Sequence, residues 1–239
     1  MIYPSGDELE KRVGSKYSLV VAVAKRVKQL KDGSPKLVET KYLETASDDW
    51  FADFSGNGLP QMAVGRLPAR TPEEVSLLVS KIVGYERSAQ RSSEVLLVAD
   101  MPDGEFDFEK AGSELISLFP EGIKVWGISR GRFGDDVQVR SELLRNLNAG
   151  NLLVNYLGHG SVEVWRGNIF GAEDAERLTN GPRLAFFVNM TCLNGFFQDV
   201  YAETLSEALL KAPGGGAVAV WTSSGLTVPD HQLLMNKAL

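Results

Sequence analysis

The sequence predicts an α/β fold built on a mostly parallel sheet with helices on both faces. Short runs rich in β-branched and apolar residues alternate with segments of helical periodicity, the order that produces strand–helix–strand units. Several of the runs are apolar without a break, as expected of strands covered on both sides; strands with one wet face would alternate. A sheet of this kind places its ligand site beyond the carboxyl ends of its strands.

The expected strands are residues 18–24, 61–65, 94–99, 124–128, 152–157, 184–190 and 217–222. Between them the helices carry legible punctuation. Thr71 can cap free amides, Pro72 tolerates the first turn, and Glu73 and Glu74 suit its positive end, so a helix starts there and presents Val75, Leu78, Val79 and Ile82 as a stripe. Phe108, Ala111, Leu115 and Leu118 repeat the pattern as far as Pro120, and Leu143, Leu144 and Leu147 do so before Gly150. A last helix starts near Pro229 and Asp230. Residues 25–60 are less regular and rich in Lys, Asp, Gly and Ser, which divides the chain into an amino-terminal portion, residues 1–90, and a larger portion, residues 91–239. There is no internal repeat. The helical pattern is still running at residues 236–239, which reads as a piece of a longer protein.

Composition narrows the function. With 44% hydrophobic and 23% charged residues, disorder and collagen are out. The formal charge of −6, with no run of five like charges, argues against a nucleic-acid partner. No apolar run approaches the roughly 20 residues that span a bilayer, and the first residues lack a basic region followed by an apolar core, so neither a membrane span nor a signal peptide is expected. One cysteine, Cys192, forbids an internal disulfide, and with only His159 and His231 a cysteine- or histidine-rich metal site is excluded.

Chemistry concentrates at two strand ends. The run NLLVNYLGHGS delivers Gly158, His159, Gly160 and Ser161 to the carboxyl edge of one strand, and LAFFVNMTCLNG delivers Thr191, Cys192, Leu193, Asn194 and Gly195 to the edge of the next. A lone cysteine is more often a small buried hydrophobe, and a lone histidine more often a structural side chain. Together at neighbouring strand ends they are the minimum for cysteine nucleophilic catalysis: a thiolate attacks a carbonyl while the imidazole manages the proton.

These residues resemble the gingipain-type cysteine peptidases of the caspase-like clan. The likeness is carried by GHGS with Trp165 six positions after the histidine, and by CLNG beginning 33 residues after it. It extends to the glycine-rich stretch FADFSGNGLPQMAVGRLPAR, to KIVGYE, to LTNGPRL and to residues 202–209. The resemblance implies a caspase-like three-layer sandwich and a cysteine endopeptidase acting on polypeptides through a thioester acyl-enzyme. Cys192 would be the nucleophile and His159 the catalytic histidine, with an oxyanion hole from the backbone amides of Gly160 and Cys192. It points to Asp100, after the strand VLLVAD, as the acid that orients the imidazole. It also points to Asp107 as a specificity residue that would pair with a basic substrate side chain. No cofactor is required, and calcium sites are common among such relatives. Secretion or surface placement in a bacterium, with a prodomain and other domains of a parent chain, is implied as well.

Competing readings stand beside these. Asp100 and Asp107 would serve equally as turn or helix caps. Trp165 is either a pocket wall that stacks on substrate or core packing, the first being favoured. Asp53, Ser55, Asn57 and Gly58 mimic the first half of a calcium loop, to which Asp48 and Asp49 would add ligands. Val64 stands where that loop needs glutamate, so a structural turn is the better reading. The GGG at residues 214–216 lacks the lysine of a phosphate-binding loop and reads as a helix stop, and His231 reads as a structural or surface residue. The alternative to a peptidase is a catalytically silent domain of the same fold, a binding or processing module in a larger secreted protein. A nucleotide-binding domain ranks below both, because residues 18–27 contain no glycine-rich turn.

Overall fold

The computed structural model describes residues 38–39, 44–45, 48–199 and 201–239; the strand expected at residues 18–24 lies outside them. The described residues fall into two compact units, one ending at Leu67 and the other running from Pro68 to Leu239. In the first, β1 (Val38–Glu39) and β2 (Glu44–Thr45) pair antiparallel, and Arg66 grips Asp48 with two donors.

The second unit is the α/β sheet. Its elements run α1 (Pro72–Arg87), β3 (Val95–Ala99), α2 (Phe108–Ile116), β4 (Val125–Ser129), α3 (Asp136–Ala149), β5 (Leu153–Leu157), α4 (Ala172–Glu176), β6 (Ala185–Met190), α5 (Leu205–Lys211), β7 (Ala217–Thr222) and α6 (Pro229–Ala238). The strands lie in the order β4-β3-β5-β6-β7, and every neighbouring pair is parallel. The central strands β3, β5 and β6 are almost wholly buried, which is why their sequences do not alternate. One face carries Leu96, Val98, Tyr156 and Phe187 against Leu143 and Leu147 of α3 and Leu205 and Leu209 of α5. The other carries Leu97, Ala99, Val188 and Met190 against Phe108, Ala111 and Leu115 of α2, with Leu233 of α6 beside them. This is the three-layer arrangement expected.

Helix starts follow local chemistry. The side chains of Thr71, Asp107, Asp135 and Thr204 each accept a backbone N–H from the first turn of α1, α2, α3 and α5. Glu207 returns the favour to the N–H of Thr204, a reciprocal capping box. Helix α1, assigned from sequence to the amino-terminal portion, contacts α5 and β7 of the sheet unit. There Lys81 reaches the carboxyl end of α5 and donates to the carbonyls of Leu209, Leu210 and Ala212.

Two expectations need correction. Residues 61–65 form no strand: Met62 and Val64 stay exposed, and Gln61 instead folds its side chain onto the amides of Phe54 and Ser55. Of the stripe expected on α1, only Leu78 is buried, and Val75 and Val79 face outward.

The segment that mimics a calcium loop closes on itself. Asp53 accepts the N–H of Asn57 with one carboxylate oxygen and that of Gly58 with the other, while Asn57 accepts from Leu59. Gly56 and Gly58 adopt positive φ at 65° and 81°, the left-handed region that glycine enters without cost. Both oxygens accept backbone amides, the geometry of an Asx turn.

Candidate active site

The parallel pairing of β5 with β6 builds the site. Leu157 lies opposite Met190, the last residue of each strand. His159 stands two residues beyond the first and Cys192 two beyond the second, so imidazole and thiol leave the sheet at the same level on neighbouring strands. The two loops touch at Gly160, where a Cβ would fall 2.5 Å from the hydroxyl of Thr191, so a side chain there would force the loops apart. Asn194 fastens them from below: fully buried, it donates to the carbonyl of Ser161 and accepts the indole N–H of Trp165 at 3.0 Å.

The imidazole is held from two sides. Its Nε2 lies 2.5 Å from Oδ2 of Asp103, and its ring meets that of Phe108 edge-on, with centroids 5.1 Å apart at 75°. Asp103 is itself fixed, because its other oxygen accepts the N–H groups of Glu105 and Phe106, each at 2.8 Å. Those three donors, with the imidazole first, hold its carboxyl down at about 2. A carboxylate on Nε2 keeps the proton on that nitrogen in the neutral ring and leaves Nδ1 as the free base.

Asp100 is corrected accordingly. It is fully buried, and its carboxylate never reaches the ring. One oxygen accepts from Arg130 and from the N–H of Met101, both at 2.8 Å. The other accepts the backbone N–H of His159 at 3.3 Å. Its position at the end of β3 points the side chain under the histidine loop; Asp103, three residues on and at the surface, is placed for the ring.

Trp165 is corrected too. It is 0% exposed, stacked on Tyr156 with centroids 4.0 Å apart and packed on Phe170. It is core beneath the loop and no pocket wall. Tyr156, also buried, donates to the carbonyl of His159 at 2.8 Å, so the tryptophan steadies the histidine through it. Asp107 is exposed and spends a carboxylate oxygen on the N–H of Lys110 as the cap of α2, which positions Phe108 against the imidazole.

Around the half-buried thiol, Thr227 supplies the polar contacts. Its N–H donates to Sγ at 3.4 Å and its hydroxyl lies 3.5 Å away. The next residue, Leu193, has a φ of +61°, a left-handed conformation costing about 1–2 kcal/mol for a side chain with a Cβ. Its N–H is anchored on Gly225, which holds the turn and leaves Cys192 at its apex. Gly160 occupies the unbonded position of an isolated bridge to Trp165, in which His159, Ser161, Val164 and Arg166 make the hydrogen bonds. Neither its N–H nor that of Cys192 donates to another group among the described residues.

A pH prediction follows from Asp103. Its carboxyl is held near 2 in the folded chain, against roughly 3.9 when unfolded, so the folded state binds fewer protons between those values. Its contribution to stability is therefore complete above about pH 4 and is lost as the pH falls to 2. Acid-unfolding curves of wild type and Asp103→Asn should separate above pH 4 and converge near pH 2.

Gingipain R2 of Porphyromonas gingivalis is 25% identical over 196 residues, covering 74% of this chain and 26% of that protein. The chain thus spans about a quarter of that relative's length. The crystal structure of the Arg specific cysteine proteinase gingipain R superposes with a TM-score of 0.68 at 22% identity, covering 83% of this chain and 48% of that one; the caspase-like fold is shared. Separately, a 58-residue stretch is 40% identical to the DNA-directed RNA polymerase subunit omega of Exiguobacterium sp., covering 84% of that subunit and 24% of this chain. The model of peptidase family C25 matches residues 9–239, and the chain belongs to that family.

Proposed function

We propose that the chain is a cysteine endopeptidase in which Cys192 attacks the peptide carbonyl and His159 carries the proton. The observation that carries this reading is that His159 and Cys192 each stand two residues beyond the paired ends of β5 and β6, with Nε2 of the ring on Asp103. Nδ1 of His159 takes the thiol proton and leaves the thiolate as the nucleophile. The thiolate adds to the scissile carbonyl, and its oxygen becomes an oxyanion that the N–H groups of Gly160 and Cys192 can receive. Collapse expels the amine, which takes the proton from the imidazolium and leaves a thioester on Cys192. Water deprotonated by His159 then hydrolyses the thioester and restores the thiol. Of the two residues considered for substrate recognition, Trp165 is spent on the core, and Asp107 stands exposed as a helix cap.

The test needs no known substrate at first. An ordinary thiol with a pKa of about 8.5 is mostly unreactive at pH 6. Iodoacetamide should label wild-type Cys192 there at least about tenfold faster than in His159→Ala. A peptide library should then be cut by wild type and spared by Cys192→Ala. Slow labelling in both proteins and no Cys192-dependent cleavage would instead support the silent binding module.

The family resemblance supports placement in a secreted or surface protein whose other domains include a prodomain. The stretch shared with the omega subunit supports a second reading: that segment docks on RNA polymerase. Tagged chain should then co-purify with core RNA polymerase lacking omega, and failure to do so would end this reading. The two readings name different compartments, so cell fractionation separates them.

A further inference from the structure

Beneath the histidine loop lies an ion cluster built on the buried pair Asp100 and Arg130. We propose that Arg130 is a positioning residue for His159, acting through Asp100 and the loop that follows β5.

The guanidinium, directly after β4, is almost buried, and its hydrogen bonds go to two carboxylates, Asp100 and Asp136. Nη1 donates to Oδ1 of Asp100 at 2.8 Å, at the end of β3. Nε and Nη2 form a two-pronged pair with Asp136, the first residue of α3, at 2.7 and 2.8 Å. The second oxygen of Asp100 accepts the N–H of His159 and lies 3.8 Å from the guanidinium of Arg166. Gly167 has a φ of +76° and lies so close over Nη2 of Arg130 that a Cβ would collide with it. One planar group therefore fixes the loop on both sides of His159: through Asp100 before the ring and at Gly167 after it.

Two acids and two bases are balanced here, Asp100 and Asp136 against Arg130 and Arg166. Burying the Asp100–Arg130 pair at its centre brings little net stability compared with apolar packing, because desolvation offsets the attraction. What it does bring is direction. A guanidinium fork defines the angles of its partners, whereas a lysine ammonium is a single point charge that cannot hold Asp100 and both oxygens of Asp136 together. The position of His159 over the site is the property that depends on those angles, and a displacement of about 1 Å can cost a hundredfold in rate.

The inference concerns the proton carrier proposed above, and its test includes one readout that does not need the chemistry. The variants are Arg130→Lys, the paired Asp100→Asn with Arg130→Met that removes both buried charges together, and Gly167→Ala, which keeps every charge but presses on the guanidinium. Thermal melts identify those that fold. The first readout is the tautomer of His159, taken from long-range 1H–15N spectra; His231→Gln, which removes the other histidine, assigns the signals. Wild type should hold the neutral ring as Nε2–H, and the folded variants should show a mixture of tautomers. The second is iodoacetamide labelling of Cys192 at pH 6, expected to fall by about tenfold or more. Folded variants with the wild-type tautomer and labelling rate would show that Arg130 only supports the fold, and would overturn the proposal. If labelling of wild type proves indifferent to His159, the dyad reading fails, and the tautomer alone decides the role of Arg130.

Discussion

The register of β5 against β6 is the constraint on which the site depends. Because Leu157 pairs with Met190, two residues far apart in sequence leave the sheet side by side. A slip of one position would turn the alternate residues of both strands to opposite faces and break both cores at once. The two hydrophobic layers therefore protect the relative placement of His159 and Cys192 as well as stability. Tyr156, one residue before Leu157, shows how directly: its ring packs in the core under Trp165 while its hydroxyl holds the carbonyl of His159.

Two aspartates three residues apart have divided the work of holding the histidine. Asp100 is buried among cations and grips the backbone, so it sets where the residue stands. Asp103 is at the surface in a turn that it caps itself, and it sets which way the ring faces.

Most of the sheet was legible from sequence because its signals are local. Strands β3 to β7 and helices α1, α2, α3 and α6 announce themselves through unbroken apolar runs and capping residues, and Cys192 and His159 inherit their places from the strands that carry them. What was not legible depends on contacts between distant segments. Asp103 meets His159 across 56 residues, and nothing within the sequence PDGEF distinguishes a ring partner from a turn residue. The reach of Arg130 is hidden in the same way. Trp165 was misjudged because an indole suits a pocket and a core equally, and its burial against Tyr156 and Phe170 depends on segments distant in sequence. The apolar residues at 61–65 failed as a strand because β propensity without a neighbouring strand has nothing to pair with.

The central claim is that Cys192, His159 and two backbone amides form one reacting site. The most direct test is a crystal structure of the chain treated with a peptide halomethyl ketone. The account predicts a covalent bond from Sγ of Cys192 to the inhibitor's methylene carbon, the ketone oxygen within hydrogen-bond distance of the N–H groups of Gly160 and Cys192, and the His159 ring still on Asp103. A ketone oxygen directed away from both amides, or a chain that takes up no label at Cys192, would contradict it.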